Sequence, residues 1–246
     1  MHRFFLPPAD CQAESLVLGE RDSHHAARVL RLAQGDPIEV LDGAGQRLQA
    51  RVMRADRWAL RAVVEQRSRC PAPPPVALAP AVLKGRAMDL LVQKATELGA
   101  TRISPVITDR TIVHVDADAA SGKAEGWLDT AVEACKQCGN PWLPRIDPPR
   151  PLAAFLADPP TALCLVASLD PAAPLAGMVL DSCGASPEGV VLLTGPEGDF
   201  APDEERAVRA AGVRPFTLGP LVLRAETAAL AALAVLQHEL RRRGWM

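Results

Sequence analysis

The chain predicts an α/β domain preceded by a small β-rich domain, and three observations carry the prediction. Short alternating strand patterns crowd the residues before Cys70. The segment "CPAPPPVAL", Cys70 to Leu78, is a stiff proline linker. After it, buried strand patterns alternate with amphipathic helix patterns. The boundary falls at 72/73, giving a β-barrel of residues 1–72 and an α/β domain of residues 73–246.

In the first domain the runs "SLVL", "PIEVLDG", "QRLQARVMRA" and "WALRAVVEQR" read as strands. Leu48, Ala50 and Val52 alternate with polar partners, as a half-buried strand requires. "LDGAGQ" marks a hairpin, because Asp42-Gly43 supplies residues that tolerate positive φ. One helix interrupts the strands: "DSHHAARVLRL", with Asp22 or Ser23 as N-cap and Ala26, Val29 and Leu30 on one face.

In the second domain "VALAPAVL" is a strand and "RAMDLLVQKATELGA" a helix closed by Gly99. "RISPVIT" is a strand and "AEGWLDTAVEACKQCG" a helix ending at Gly139; "TALCLVAS" and "GVVLLTGPEG" are buried strands. The next helix has Pro202 in its first turn, Asp203, Glu204 and Glu205 at its positive end and Gly212 beyond it. "RPFTLG" is a short strand, and "AETAALAALAVLQHELRRRG" closes the chain as an Ala-rich helix. Strands alternating with helices imply a mostly parallel sheet covered on both faces.

Composition narrows the function. With 48% hydrophobic and 23% charged residues the 246-residue chain suits a soluble, cytoplasmic globular protein; no segment reads as a secretory signal or membrane span. Net charge is −2, yet residues 1–75 hold eleven Arg and no Lys against nine acids, which suits phosphate recognition by forked donors. Tyr is absent and Phe scarce, which argues against a stacking platform for single strands. The six cysteines form no disulfide framework. Cys135 and Cys138 make a C-x-x-C without a second ligand pair and read as free thiols; His24 and His25 are adjacent on a helix and point apart, so no metal is expected.

Two loops carry the chemistry: "TGPEGDF" and "LGPLVLRAETAAL", each leaving a strand and entering a helix. Ligands of open α/β sheets bind outside the carboxyl ends of strands. Gly195 and Gly198 lack Cβ atoms and so admit a flat ring or ribose to the backbone. No P-loop and no G-x-G-x-x-G follows a strand, which favours a ligand held by backbone groups over a nucleoside triphosphate. Alone, "GPEG" is a β-turn; two such loops together read as a site.

"LLTGPEGDF", "TLGPLVLRAETAAL", "KGRAMDLLVQKATELGA", "VEACKQCGNPWLPRI" and the N-terminal "HHAARVLRLAQGDPIEVLDG" occur in the order found in RsmE-like ribosomal RNA uridine-N3 methyltransferases, which the chain resembles over nearly its whole length. The resemblance implies a trefoil-knotted (SPOUT) α/β methyltransferase domain behind a PUA-like barrel that binds RNA. It also implies S-adenosylmethionine as cofactor, a homodimer, and 16S rRNA as substrate, on the assembled small ribosomal subunit. By resemblance, Thr194, Gly195, Pro196, Glu197, Gly198, Leu218, Gly219, Leu223, Arg224, Thr227 and Ala228 hold the cofactor, with Leu218 and Leu223 against the adenine. Small Ala side chains in the last helix permit the close approach a threaded segment needs, although plain helix propensity accounts for them equally.

Transfer to uracil N3 needs alignment and removal of a proton. Arg224 is the candidate to stabilise the uracil anion or hold a phosphate, and Glu226 the candidate to accept the proton; the bland alternative is that they pair with each other or with a helix end. Arg3, His24, Arg28 and Arg31 are the expected RNA contacts, Arg28 and Arg31 lying three apart and hence on one helix face. Two departures stand out. Family members often carry Gly where this chain has Asp199, which would restrict a ligand at that loop's end, and a basic residue where it has Leu221, which removes an RNA-facing charge. The rival readings are ribose 2′-O methylation, disfavoured by "VLRAETA", and a non-catalytic RNA-binding assembly factor.

Overall fold

The computed structural model describes residues 1–56, 58–111, 117–157 and 162–245. The chain forms two compact units: Met1–Ala72 with Val132–Leu143, and Pro73–Ala131 with Pro144–Met246. A boundary at 72/73 alone does not reveal that Val132–Leu143 clusters with the N-terminal segment.

In the first unit, β1 (His2–Phe5), β2 (Ser15–Leu18), β3 (Pro37–Leu41), β4 (Gln46–Ala55) and β5 (Leu60–Arg69) make one sheet in the order β1-β3-β4-β5-β2. All neighbours are antiparallel except β1 and β3. Phe4, Leu16, Leu18, Ile38, Val40, Leu48, Ala50 and Val52 fill the core, as the alternation requires. Gly45 (φ +96°) tops the β3–β4 hairpin where a Cβ would lie 2.3 Å from the Trp142 ring, so only glycine fits there.

The helix differs from expectation. Helix α1 spans Glu20–His24 with Gly19 as N-cap and runs on as a π-turn over His25–Val29. Ser23 is no cap: it is buried, its hydroxyl donating to the Leu18 carbonyl at 3.0 Å and accepting from the Leu60 N–H at 2.8 Å, which ties β2 to β5. Ala26 is buried and Leu30 packs on the core, but Val29 is 62% exposed because the π-turn shifts the helical period. Arg31 has φ +55° and lies beyond the helix, so Arg28 and Arg31 do not share a helix face.

In the second unit the elements are β6 (Val76–Pro80), α2 (Arg86–Glu97), β7 (Arg102–Ile103), β8 (Val106–Ile107), α3 (Ala117–Cys138, whose last turns join the first unit), β9 (Arg145–Ile146), β10 (Arg150–Pro151), α4 (Leu152–Ala157), β11 (Leu163–Ser168), α5 (Ala176–Asp181), β12 (Val190–Thr194), α6 (Pro202–Ala210), β13 (Arg214–Thr217) and α7 (Ala225–Arg242). Thr161, expected at the start of β11, lies outside the described residues. Six strands pair in parallel in the order β13-β11-β12-β6-β7-β9.

Every residue of β12 is buried, as a central parallel strand covered on both faces requires. Val191 and Leu193 join Ala79, Phe155 and Val208 in one core, beside α4 and α6. Helix α7 packs on β6, β11 and β12, flanked by α2 and α5, through Ala229, Ala232, Leu233 and Leu236. "RISPVIT" is two strands rather than one: Pro105 has no N–H to donate, and Ser104 turns its hydroxyl to Asp147 at 2.5 Å. Asp147 also accepts from Arg102 and Arg145 and so fastens β7 to β9. Among the described residues no helix is long and apolar enough to cross a membrane.

Candidate functional site

The parallel register sets three carboxyl ends side by side. Leu165–Ser168 of β11 pairs with Arg214–Thr217 on one side, and Leu163–Val166 with Val190–Leu193 on the other. The loops Thr194–Phe200 and Leu218–Arg224 leave β12 and β13, so both candidate loops open at one end of the sheet. On its other flank β12 borders β6, where the Ala81 N–H donates to the Thr194 carbonyl at 2.8 Å.

The first loop is braced from within. Asp199 N–H donates to the Pro196 carbonyl at 3.0 Å, closing a tight turn. Asp199 sits at φ +59°, the left-handed region that favours glycine; Asp is among the few residues that tolerate it. Its Oδ1 accepts from the Phe200 N–H at 2.9 Å. A Cβ on Gly195 would lie 2.9 Å from Asp199 Oδ1 and 3.3 Å from the Phe200 ring, so the loop's own atoms already exclude a side chain there; one on Gly198 would meet Arg110 Cδ at 3.4 Å, an ordinary contact.

Arg110 is a residue that sequence reasoning missed. Its Nη1 donates to the Gly198 carbonyl at 2.5 Å and the Phe200 carbonyl at 3.4 Å. Nearby, Glu204 accepts from Asp109 N–H and Ala201 N–H, both at 2.9 Å, satisfying one donor at the start of α6. The only linear hint is the turn "TDRT", in which Thr108 and Thr111 bond each other and present the arginine between them.

The second loop is more open. Gly219 (φ +114°) has no atom within 4 Å of where a Cβ would stand, and its N–H donates to Thr217 Oγ1 at 3.1 Å. Among the described residues the N–H groups of Leu218 and Leu223 make no hydrogen bond, and both residues are half-buried. Arg224 is the N-cap of α7, with Glu226 and Thr227 in the first turn and Ala228 N–H donating to the Arg224 carbonyl at 2.8 Å. The side chains of Arg224 and Glu226 form no bond to each other or to any other described residue. Leu221 and Val222 are 76% and 79% exposed.

In the first unit the proposed RNA contacts diverge. Arg3 is engaged internally: Nε donates to Glu39 at 2.7 Å and Nη1 to the Gln137 carbonyl at 3.0 Å, where with Arg47 it satisfies carbonyls at the end of α3. His24, Arg28 and Arg31 are exposed and unpaired among the described residues. Within the C-x-x-C, burial pushes the Cys135 thiol up to about 12, far from a reactive thiolate, while Cys138 is exposed.

The class these features define is the RNA methyltransferase. The family described as "RNA methyltransferase domain" matches residues 70–237, and the "RNA methyltransferase PUA domain" matches residues 18–65. The chain is 34% identical to the ribosomal RNA small subunit methyltransferase E of Synechocystis over 95% of its own length and 76% of the relative's. It is 32% identical to that of Mycobacterium bovis over 91% and 86%. Among solved structures it resembles the ribosomal RNA small subunit methyltransferase E of Neisseria gonorrhoeae bound to S-adenosyl methionine, with TM-score 0.84, 30% identity and 97% of each chain covered. The chain belongs to the ribosomal RNA small subunit methyltransferase E family.

Proposed function

We propose that this protein methylates N3 of one uridine in 16S ribosomal RNA, with S-adenosylmethionine as methyl donor and the assembled small subunit as substrate. The observation that carries the reading is the opening of two candidate loops at the same end of one parallel sheet, from the strands on either side of β11, with an unpaired arginine and glutamate where the second enters α7.

The loops suit the cofactor. Free N–H groups at Leu218 and Leu223, open space at Gly219 and no Lys or Arg within Thr194–Gly198 describe a site for a ligand bound by backbone rather than gripped by phosphates. Thr194–Gly198, Leu218, Gly219, Leu223, Thr227 and Ala228 would hold S-adenosylmethionine, which supplies an activated methyl group on a sulfonium. Arg224 stabilises the uracil as its anion, and Glu226 accepts the N3 proton; a positioned base contributes roughly 10²–10⁴ in rate. His24, Arg28 and Arg31 of the N-terminal unit hold RNA phosphates.

The reading includes a knotted passage of the C-terminal unit and a cytoplasmic homodimer; the exposed Leu221 and Val222 support the dimer, and the buried Ala229 and Ala232 support close threading. Asp199 gives no support to a non-catalytic assembly factor, since it adopts the left-handed conformation that glycine would take and braces the turn by accepting the Phe200 N–H. Arg224→Ala abolishes turnover while calorimetry with S-adenosylmethionine still reports binding; unchanged turnover removes Arg224 from the site, and no binding by the wild type sinks the enzyme reading.

A further inference from the structure

We propose that a cavity beside the carboxyl end of β6, lined partly by α3, receives an unpaired nucleotide of the RNA substrate; the inference rests on the methyltransferase reading above. The cavity has a volume of about 410 Å³, ample for a nucleoside. Val82, Leu83, Met88 and Trp127, all buried, form an apolar floor. It lies next to the first candidate loop without being part of it: the Lys84 N–H approaches Glu197 Oε1 at 3.5 Å, yet no residue of Thr194–Gly198 lines the cavity.

Two features of the wall have no reason within the fold. Gly122 and Gly126 stand four apart on α3, hence on one face, and line the cavity. Glycine weakens a helix interior, so its use there needs a cause. No atom lies within 4 Å of a Cβ built at either position, so internal packing demands neither. What their absent side chains leave open is the cavity itself.

The second feature is charge. Lys123 on the lining, Lys84 on the loop that leads into it and Arg86 at the start of α2 form no ion pair among the described residues. Asp89 is the one acidic residue on the lining, so the surroundings are cationic. An apolar floor for a base, hydrogen-bonding groups at Asp89 and Thr130 for its edge, and cations for the phosphodiester match a splayed-out nucleotide.

Gly126→Leu tests the proposal, because it fills the cavity at a position where the helix gains propensity and nothing obstructs the new Cβ. The assay follows methyl transfer from S-adenosylmethionine to small subunits isolated from cells lacking the enzyme. The expected result is a thermal midpoint at or above the wild-type value, an unchanged S-adenosylmethionine dissociation constant, and a KM for the subunits raised by about tenfold or more. Lys123→Glu, which leaves the cavity open, raises the same KM and flattens its salt dependence. An unchanged KM in both variants overturns the inference. So does a parallel loss of cofactor affinity, which assigns the cavity to the cofactor, or a changed association state in sedimentation, which assigns it to a second copy. A wild type that transfers no methyl group overturns the functional reading and this inference with it, whereas active wild type beside unaffected variants overturns the inference alone.

Discussion

Gly195→Ala gives a quantitative test of how the first loop is built. The new Cβ would meet Asp199 Oδ1 at 2.9 Å and Phe200 ring carbons at 3.3 and 3.4 Å. The carboxylate cannot retreat freely, because it accepts the Phe200 N–H at 2.9 Å. Overpacking of this kind costs about 1–3 kcal/mol. Asp199→Gly alone is expected to be near neutral. It loses one hydrogen bond, about 1 kcal/mol, and relieves a left-handed conformation of similar cost. In the double variant Oδ1 is gone and only the softer ring contact remains, so the alanine costs less than about 1 kcal/mol. The coupling between the two sites is therefore about 1–2 kcal/mol, positive toward stability. Urea unfolding of the four proteins, compared at equal m-values, measures it. Additive costs, with Gly195→Ala equally harmful in both backgrounds, would refute the argument that Asp199 rather than a ligand excludes a side chain at 195.

Three further outcomes follow from the geometry. Arg110→Ala frees the Gly198 and Phe200 carbonyls and is expected to weaken S-adenosylmethionine binding by about tenfold in calorimetry, with Arg110→Lys recovering part of it; unchanged affinity removes Arg110 from loop positioning. Burial raises the Asp147 pKa, but hydrogen bonds from Arg102 and Ser104, with the charges of Arg102 and Arg145, outweigh this and hold it below the ordinary value. Its contribution is therefore complete above the unfolded pKa of about 3.9 and is lost as pH falls through the lower folded value. Asp147→Asn should cost about 1–2 kcal/mol at pH 7, with the gap narrowing below about pH 4 in urea unfolding; a gap independent of pH contradicts this. Iodoacetamide at mildly alkaline pH should alkylate the exposed Cys138 and spare Cys135, whose buried thiol is pushed to about 12; equal labelling in peptide mass spectra would count against that burial.

The parallel sheet was legible because its strands are short apolar runs and its helices end at glycines. Gly99, Gly139 and Gly212, read as helix stops, all adopt positive φ. Elements of six residues such as α4 and α5 escaped, being too short to show a 3.6-residue period. The π-turn after α1 and the positive φ of Arg31 have no linear signature, and they undid the pairing of Arg28 with Arg31. The two candidate loops could be found from glycine, proline and strand context. What braces the first of them could not, because Arg110 meets Gly198 across 88 residues. The return of Val132–Leu143 to the N-terminal unit depends likewise on a through-space fit, the Trp142 ring against Gly45. Asp199 reads as a departure in sequence, and its left-handed backbone, which glycine would adopt as readily, could not be read there.

The central claim, methylation of a uridine base in the small-subunit RNA, is tested most directly by mass mapping. Small subunits from cells lacking this protein are incubated with the purified chain and methyl-labelled S-adenosylmethionine, and their RNA is digested and mapped. The account predicts one added methyl group, on N3 of a single uridine in 16S RNA, and none when Arg224→Ala replaces the wild type. A label on a ribose 2′-oxygen, or no label on the RNA at all, would contradict it.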